Sequence, residues 1–351
     1  MNVRAAVVGC GRMGAAPTAR LAGKLPPGWA PLSHAEAVQS LEGWELVGLC
    51  DSQTQTAQKW GAHYGAPAYD SVEILLAEAR PDFLCVATRT PAKKAIIETA
   101  LSAGVRALYV EKPVATSIDD AQAILRLAQE KGASLALGVN RRYHPVYRQA
   151  REWLRQGEIG DLVEITIEHG RSALLWSHPH SVDLLLFFAG AAPQSVQAVL
   201  DPETVVWESE MRVDSDPVVE NACFRFPGGV TGLITRSGGL NVRLAGTRGT
   251  IAVGADGSYL EARKQGASGY FLETRTAQSL GGTGATATAL AETWRAAQGQ
   301  GEMPLSPGEI LASTQMLLGI VWSAREGNGP VSLTAVPSAL TVTGRSGTLY
   351  A

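Results

Sequence analysis

A glycine-rich turn directly after the first apolar segment constrains the fold of this chain more than any other feature. Residues 3–8 form a short apolar run of the kind that makes a buried parallel strand, and a G-x-G-x-x-G pattern follows it. Glycines in this pattern permit a tight turn, let backbone N–H groups approach a pyrophosphate, and allow close helix–sheet packing. The segment therefore predicts a dinucleotide-binding strand–turn–helix unit. Its predicted cofactor contacts are Gly9, Gly11, Arg12, Met13 and Gly14.

Apolar runs and helical stretches alternate through the first 139 residues. The runs predict further strands at 46–50, 83–87, 107–110 and 134–139, and the stretches between them predict helices at 54–64, 71–78, 93–103 and 118–131. Strand and helix in alternation indicate a parallel sheet with helices on both faces. We therefore predict that residues 1–139 form an α/β Rossmann domain with a doubly wound parallel sheet.

The pattern changes after residue 139, where alternating segments joined by glycine-containing turns become dominant. Predicted strands lie at 162–168, 196–200, 218–226, 230–236, 241–245 and 250–253, and predicted helices at 145–156, 179–189, 287–297 and 307–324. Residues 140–351 are therefore predicted to form a second, α+β domain built mainly on antiparallel strands.

Charge and composition exclude several classes of partner. The chain has 30 Lys and Arg against 33 Asp and Glu, so its net charge of −3 supplies no basic face for a nucleic acid. Its longest apolar runs, such as 184–192, are about half of the ~20 residues that a membrane span needs. We therefore expect no nucleic-acid partner and no membrane insertion. The first residues lack the apolar length and the cleavage site of a signal peptide, so a cytoplasmic location is expected.

The four cysteines carry no metal-binding or redox spacing. Cys10, Cys50, Cys85 and Cys223 are far apart in sequence, and the first three lie in or at the end of apolar runs. Such cysteines are typical of buried, reduced thiols. We expect neither a metal site nor a disulfide.

Asp51 stands at the end of the second predicted strand. A carboxylate at this place accepts hydrogen bonds from both hydroxyls of an adenosine ribose and repels a 2′-phosphate. Ser52 follows it, where an arginine would favour the phosphate. The pair therefore predicts NAD(H) as the cofactor in preference to NADP(H).

The spacing between Gly14 and Asp51 is longer than the motif requires. It is 37 residues, whereas a simple βαβ unit has about 20, which leaves roughly 17 additional residues. The proline-rich segment 25–32 is the candidate insertion. Two positions for it are open: above the cofactor crevice, where it would shape the mouth of the active site, or at the far edge of the sheet as a surface loop.

Further motifs follow the glycine turn in a fixed order. They are Asp51, Val-Ala-Thr at 86–88, Glu-Lys-Pro at 111–113, Asn-Arg-Arg-Tyr-His-Pro at 140–145, His180 with Asp183, Gly-Thr-Arg-Gly at 246–249, and Ser-Ala-Arg-Glu-Gly at 323–327. In these motifs the chain resembles the Gfo/Idh/MocA family of sugar and cyclitol oxidoreductases. The resemblance implies a C-terminal domain with a large open, mostly antiparallel sheet, which binds substrate and often mediates dimers or tetramers.

The resemblance also implies roles for residues near the cofactor. Lys112 matches the family's active-site lysine, which would bond to a substrate oxygen and stabilise a developing alkoxide. The peptide bond from Lys112 to Pro113 is often cis in the family, and Glu111 would orient the cofactor end of its strand. The family's dinucleotide-contacting loop corresponds to Thr88, Arg89 and Thr90, the last two of which replace prolines.

His180 and Asp183 are three residues apart in a predicted helix, so their side chains project from one face. His180 matches the family's catalytic histidine. An imidazole with an ordinary pKa near 6.5 suits proton exchange at neutral pH. Asp183 would fix either the substrate or the imidazole.

The sequence departs from the family just before this histidine. Many relatives carry an aspartate where Trp176 stands, and His178 takes a glycine-like position. The acid–base unit is therefore either Lys112 with His180 alone, or the same pair assisted by His178. Trp176 would either present a face for stacking a sugar ring or be a packed aromatic at a hinge.

The segment after the fifth strand lies on the substrate side of the family's cleft. Asn140 and Arg141 are the candidate substrate contacts there, and Arg141 would bind hydroxyls or a carboxylate. Arg142 is interpreted as a structural salt-bridge partner.

These residues together predict an enzyme that transfers a hydride between NAD and a ring hydroxyl or ketone of a sugar, cyclitol or sugar derivative. His180 would be the acid/base and Lys112 its electrostatic partner. We expect a small carbohydrate-like substrate and a homodimer or homotetramer formed through the C-terminal sheet. Two alternatives stay open: transient oxidation that permits elimination or epimerisation, and a non-catalytic nucleotide-sensing regulator.

Overall fold

The first domain is a six-stranded parallel sheet with helices on both faces, which confirms the predicted Rossmann architecture. The computed structural model describes residues 2–269, 272–278 and 282–344. The sheet has the order β3-β2-β1-β4-β5-β6. Its strands are β1 (Val3–Val8), β2 (Trp44–Cys50), β3 (Ala68–Tyr69), β4 (Phe83–Val86), β5 (Ala107–Val110) and β6 (Ser134–Leu137), and its helices are α1 (His34–Ser40), α2 (Thr54–Tyr64), α3 (Val72–Ala79), α4 (Thr90–Ser102) and α5 (Ile118–Glu130).

The second domain is built on a ten-stranded, mostly antiparallel sheet, as the sequence predicts. Along it run β17-β16-β15-β14-β7-β13-β12-β9-β18, with β8 beside β12. Strands β7 and β13 pair in parallel, and β10-β11-β19 form a small separate sheet. The bounds are β7 (Leu162–Glu168), β8 (Ser172–Ala173), β9 (Ser195–Leu200), β10 (Trp207–Ser209), β11 (Arg212–Val213), β12 (Val218–Arg225), β13 (Thr231–Ile234), β14 (Asn241–Gly246), β15 (Gly249–Gly254), β16 (Tyr259–Gln265), β17 (Leu272–Gln278), β18 (Val331–Ser332) and β19 (Thr341–Val342). The helices are α6 (Pro145–Arg155), α7 (Leu174–Ala189), α8 (Ala285–Ala297) and α9 (Pro307–Arg325).

Helix α7 begins at Leu174, five residues before the predicted start at Pro179. A proline inside a helix lacks an N–H donor, so the sequence favours a start at the proline. The structure supplies a cap from elsewhere: the carboxylate of Asp216 accepts hydrogen bonds from the N–H groups of Leu175 at 2.6 Å and Trp176 at 3.1 Å. This distant carboxylate stabilises the extra turn, which carries Trp176 and His178.

The sequence prediction ends the antiparallel sheet too early. Strands β16 and β17 extend it beyond residue 253. Their alternating residues include many charged side chains, because this end of the sheet is largely exposed. An exposed strand carries a weaker apolar pattern than a buried one.

The helix after the glycine turn is divided into two pieces by the insertion. The N–H groups of Ala15 and Ala16 donate to Gly11 O, which makes one turn, and the chain then leaves the helix. It returns at α1, where His34 N donates to Met13 O at 2.7 Å and Ala35 N to Gly14 O at 2.9 Å. In an α-helix each N–H group donates to the carbonyl oxygen four residues earlier. Here His34, although it lies much later in the chain, occupies the helical position four residues after Met13. The helix of the predicted strand–turn–helix unit therefore consists of a single turn plus α1, with the additional residues looped out between them.

Helix α8 ties the second half of the chain to the first domain, since it packs against α1, β5 and β6. The boundary at residue 139 stays a prediction. Cys10, Cys50 and Cys85 are buried free thiols and Cys223 is a partly exposed one, as expected. Within the described ranges, no helix has the length and apolar character to cross a membrane.

Candidate active site

The glycine turn has the shape that a dinucleotide requires. A Cβ on Gly9, whose φ is +91°, would lie 2.7 Å from the backbone of Ala87, and a Cβ on Gly14 would lie 1.7 Å from Gly9 O. These two glycines are therefore required by packing within the protein. A Cβ on Gly11 would meet no atom within 4 Å. Space above Gly11 is open, which fits a phosphate group resting on the turn.

Asp51 is fixed where β2 ends. Its carboxylate accepts hydrogen bonds from Cys10 N at 2.8 Å and Gln53 N at 2.9 Å, so it joins the glycine turn to the end of its own strand. Ser52 beside it is exposed. In the loop after β4, Thr88 Oγ1 is buried and has no hydrogen-bond partner among the described residues. Arg89 stands at the N-cap of α4, and Thr90 is its first residue. An acidic strand end and an unpaired hydroxyl beside an open glycine turn fit an adenosine dinucleotide.

Lys112 follows β5, and its peptide bond to Pro113 is cis, as the family resemblance implies. Its Nζ donates to Trp176 O and lies 4.9 Å from the centroid of the Trp176 ring. Burial lowers the pKa of Lys112 to about 8, although the carboxylate of Glu111 opposes this shift. An amine with this pKa exchanges its proton close to neutral pH.

A second lysine, which the sequence analysis does not single out, holds the Lys112 loop. Lys93 on α4 is buried, and its Nζ donates to Pro113 O at 2.7 Å and to Glu111 O. The Glu111 side chain meets Nε2 of His34 on α1 at 3.0 Å. Burial raises the pKa of Glu111, but the hydrogen bond from His34 and the nearby cations bring it below its usual value. The loop is therefore fixed from both sides of the sheet.

His180 lies on α7 with its ring directed into the space near Lys112. Its Nδ1 is buried without a hydrogen-bond partner in the described part of the chain. Burial holds the pKa of His180 well below its ordinary value, and the charges of Arg141 and Lys112 and the imidazole of His169 lower it further. These four side chains, which come from both domains, therefore interact electrostatically with one another through His180.

Two of the predicted site residues have polar groups that bond to other parts of the protein. Asp183 forms an ion pair with Arg142, with Oδ1 at 2.6 Å from Nη2, and both side chains are buried. One carboxylate oxygen is thus on Arg142 rather than on His180, while Oδ2 is buried without a hydrogen-bond partner among the described residues. The predicted salt-bridge role of Arg142 is confirmed. His178 is fully buried, and its ring nitrogens lie 3.1 Å from the hydroxyls of Ser172 and Ser181.

Trp176 stands between the two domains. Its ring lies near the Lys112 ammonium on one side, and the Arg12 guanidinium of the glycine turn is 5.1 Å from its centroid. Asp216 fixes the Trp176 backbone through the cap on α7. The tryptophan therefore borders the junction between cofactor turn and substrate space, where the family's aspartate would stand. After Glu111, Asp216 is a second carboxylate whose charge raises the pKa of Lys112.

Asn140 and Arg141 differ in how they face the site. The Asn140 side chain accepts from Tyr109 Oη and donates to Thr286 Oγ1 at 3.1 Å, so it joins α8 to β5. Arg141 forms a bidentate pair with Asp256 at 2.8 and 3.0 Å, and its positive charge still acts on His180.

The insertion lies on this side of the molecule rather than at the far sheet edge. Trp29 Nε1 donates to Asp256 O at 2.8 Å, and the Trp29 ring packs on His144 with centroids 4.9 Å apart. The Arg141 guanidinium is 5.5 Å from the centroid of Trp29. The insertion, residues 25–32, therefore packs behind Arg141 through Trp29, and we call this segment the wall.

The first domain also matches a known family. Residues 3–139 match the model of the Gfo/Idh/MocA oxidoreductase family with its NAD-binding Rossmann fold. The first domain of the chain is therefore similar to the NAD-binding domain of this family. The Gfo/Idh/MocA match covers the sheet that carries the glycine turn, Asp51 and Lys112.

Curated relatives include the UDP-N-acetylglucosamine 3-dehydrogenase of Acidithiobacillus ferrooxidans, 32% identical over 47% of this chain and 53% of that protein. The D-apiose dehydrogenase of Paraburkholderia graminis is 30% identical over 36% of this chain and 34% of its own length. These matches thus span a third to a half of the relatives. A solved structure described as a putative NADPH-dependent oxidoreductase from Desulfitobacterium hafniense has a TM-score of 0.78, covers 96% of this chain and 99% of that chain, and is 19% identical. It shows that the whole fold is shared.

Proposed function

We propose that this protein is an NAD-dependent oxidoreductase that transfers a hydride between nicotinamide and a ring hydroxyl or ketone of a sugar, cyclitol or sugar derivative. The observation that carries the proposal is the electrostatic interaction of Lys112 with His180 from a different domain, together with the buried Nδ1 of His180, which has no hydrogen-bond partner among the described residues. An imidazole with an unpaired nitrogen near a partly buried ammonium is the arrangement that proton transfer and alkoxide stabilisation need.

The roles of the two side chains follow from their charges. Bound nicotinamide would accept or supply the hydride. At neutral pH the low pKa of His180 keeps its imidazole neutral, so a ring nitrogen takes the hydroxyl proton during oxidation and returns it during reduction. Lys112, when protonated, donates to the same substrate oxygen and stabilises the negative charge that develops there.

The chain's own residues favour NAD over NADP. The Asp51 carboxylate is fixed by two backbone N–H groups at the edge of the glycine turn, so it cannot move away from a 2′-phosphate without breaking those bonds. Like-charge repulsion would disfavour the phosphate there.

Self-association through the C-terminal sheet remains a proposal, which sedimentation of the purified protein would test.

The experiment is a panel of sugars, inositols, uronic acids and nucleotide sugars, followed by nicotinamide absorbance with NAD and with NADP. Lys112→Met should lower kcat about 10²- to 10³-fold, and His180→Asn about 10²- to 10⁴-fold. Lys94→Met and His63→Asn, both on the surface of the first domain, are the matched controls. Circular dichroism of each variant checks the fold.

Wild-type turnover that survives both replacements would contradict the assigned roles. Conversion of a sugar with no net change in NADH would favour transient oxidation. Nucleotide binding without conversion of any panel member would favour the regulatory reading.

A further inference from the structure

A cleft of about 200 Å³ lies between α6, α7 and the loop before α9, and the residues assigned to hydride transfer do not line it. The buried ring of Phe187 forms part of its wall. Among the described residues that line it, Glu152 is the only acid, whereas four are arginines: Arg142, Arg148, Arg151 and Arg155. Positive charge is therefore concentrated here in a chain whose net charge is −3.

Helix α6 builds most of this cleft because of the spacing of its arginines. Arg148, Arg151 and Arg155 are three and four residues apart, so they lie on one face of the helix. The apolar residues of α6, which include Val146 and Trp153, are buried. Like charges at this spacing destabilise a helix. The arginine face of α6 is therefore unfavourable unless anions lie close to it.

Two of the four arginines have acidic partners inside the protein. Arg142 donates to Asp183 on α7 at 2.8 Å and to Glu309 on α9 at 3.1 Å. Arg148 forms a bidentate pair with Glu292 on α8, at 2.7 and 2.6 Å. These bonds connect the walls of the cleft to three other helices. The cleft is therefore preformed, which reduces the entropy that a ligand loses on binding.

Arg151 is the cation without an anion. Within the described ranges its guanidinium makes no hydrogen bond and no ion pair, and it lies half-buried 4.4 Å from the centroid of the Phe187 ring. Burial lowers the pKa of Arg151, and the three other arginines lower it further while Glu309 opposes them. An arginine keeps its proton at neutral pH even so. A positive charge with five N–H donors therefore lines the cleft unpaired.

Arg155 is the second cation with donors available. Its guanidinium comes within 3.8 Å of Glu152, and both side chains are largely exposed. A pair of this kind contributes little, because water screens it. Arg151 and Arg155 are four residues apart, so two neighbouring guanidinium groups have free N–H donors on one side of the cleft.

The charge and the size of the cleft define the ligand. The planar fork of an arginine matches the oxygens of a phosphate, and a phosphate dianion has enough acceptor oxygens for two guanidinium groups at once. An extended polyanion fits poorly, because Glu152 and Glu292 flank the arginines and would repel its further charges. The ligand is therefore a small molecule.

We propose that this cleft binds a phosphate dianion, either inorganic phosphate or the phosphate group of a small phosphomonoester, with Arg151 as its main contact and Arg155 as its second. Phe187 is the positioning residue, since its ring holds the Arg151 guanidinium at the cleft. The site is separate from Lys112 and His180, so the proposal does not rest on the proposed function.

Isothermal titration calorimetry at constant ionic strength tests the site. The protein is saturated with NAD, so that the glycine turn is occupied and cannot take the phosphate. Inorganic phosphate and glycerol 3-phosphate are titrated separately, and the tighter of the two identifies the source of the phosphate group. Acetate is the reference, and we expect it to bind at least about tenfold more weakly, because a monoanion with two oxygens cannot engage both guanidinium groups.

Substitutions at the cleft locate the binding. Arg151→Met removes the unpaired cation and should raise Kd about 10- to 100-fold, the value of a charge-assisted hydrogen bond. Arg151→Lys keeps the charge without the fork and should recover part of the affinity. Arg155→Met should raise Kd by a smaller factor. The matched control is Arg126→Met, on the exposed face of α5, which should leave Kd unchanged. Circular dichroism of each variant checks the fold.

A thermal melt provides a second measurement, because a ligand that binds the folded state raises Tm. Phosphate should raise Tm of the wild type and of Arg126→Met, but not of Arg151→Met. The absence of both heat and a Tm shift at millimolar phosphate and glycerol 3-phosphate would overturn the proposal. An equal Kd in the wild type and Arg151→Met would also overturn it, since the phosphate would then bind elsewhere.

Discussion

Two clusters of charged and polar side chains lie side by side in this protein, and the consecutive residues Arg141 and Arg142 belong to different clusters. Arg142 donates to Asp183, to Glu309 and to Pro304 O, so its guanidinium is surrounded by acceptors. Arg141, one residue earlier, lies beside Lys112 and His180, where imidazole nitrogens have no partner in the described structure. We call the first the paired cluster and the second the open cluster.

The difference separates stability from chemistry. Buried charge that is hydrogen-bonded, as the Arg142 guanidinium is, is stable in place and has no free donor for a ligand, although Asp183 Oδ2 in the same cluster has no partner among the described residues. Unpaired groups with shifted pKa values are costly, and they are enriched at functional sites. Removing a side chain of the paired cluster should therefore destabilise the folded protein, whereas removing a side chain of the open cluster should change the reactivity.

The largest effect is expected from breaking the paired cluster. Arg142→Met leaves the Asp183 carboxylate buried without its cation, which should lower the free energy of unfolding by about 3–5 kcal/mol. Urea denaturation measures the change. The control is Arg212→Met, which breaks the exposed pair with Glu208 and should cost about 0–1 kcal/mol. Equal losses of unfolding free energy in both variants would show that the buried ion pair contributes no more to stability than an exposed one.

The next effect is a pH dependence in the open cluster. The pKa of Lys112 is lowered to about 8 by burial and by Arg141 and Arg12, against the opposing charges of Glu111 and Asp216. Below that pH the ammonium is present, and above it the amine is neutral. The neutral His180 adds no proton loss in this range because its pKa lies well below 6.5. We therefore expect kcat/KM for oxidation to be close to its maximum near pH 7, to be halved at about pH 8, and to fall about tenfold per pH unit above about pH 9.

Lys112→Arg provides the comparison, because a guanidinium keeps its proton throughout this range. The pH profile of kcat/KM for Lys112→Arg should show no decrease at alkaline pH, whatever the absolute rate of the variant. A wild-type rate that increases through pH 8 would mean that the neutral amine is the active form, and the role of Lys112 would then be that of a base.

The smallest effect is expected at the wall that supports the open cluster. Trp29→Phe keeps an aromatic ring on His144 but removes the Nε1 hydrogen bond to Asp256 O. One such bond contributes about 0.5–1.5 kcal/mol to stability. Because Asp256 holds Arg141, KM for the substrate should rise a few-fold as well. Trp60→Phe, on α2 away from the cleft, is the control, and a matching change in it would remove the argument for a wall.

The first domain could be predicted from sequence because its strands are buried on both faces. Such strands appear as continuous apolar runs, so β1 and β5 were predicted at their observed bounds. The same rule fails at β16, where one face is exposed and charged. Lys112 could be found because it belongs to a local motif after a strand.

Other site residues carry no local signal. Asp216 is 40 residues from Trp176, yet it caps the helix that presents that tryptophan. His169 resembles any polar residue after a strand, and only the unpaired Nε2 distinguishes it. Asn140 and Asp183 fit their motif positions, while the fold commits Asn140 to Thr286 and Asp183 to Arg142.

The sequence by itself determined the order of strands and helices in the Rossmann domain, the cofactor turn, and the presence of a lysine and a histidine suited to redox chemistry. These properties depend on neighbours along the chain, through apolar periodicity and backbone freedom at glycine. The tertiary structure decided which polar groups are satisfied: Arg142 but not His180, His178 but not Nε2 of His169. Whether a polar group has a hydrogen-bond partner depends on donors and acceptors that the fold brings together from distant segments. Only the tertiary structure therefore shows which polar groups have partners.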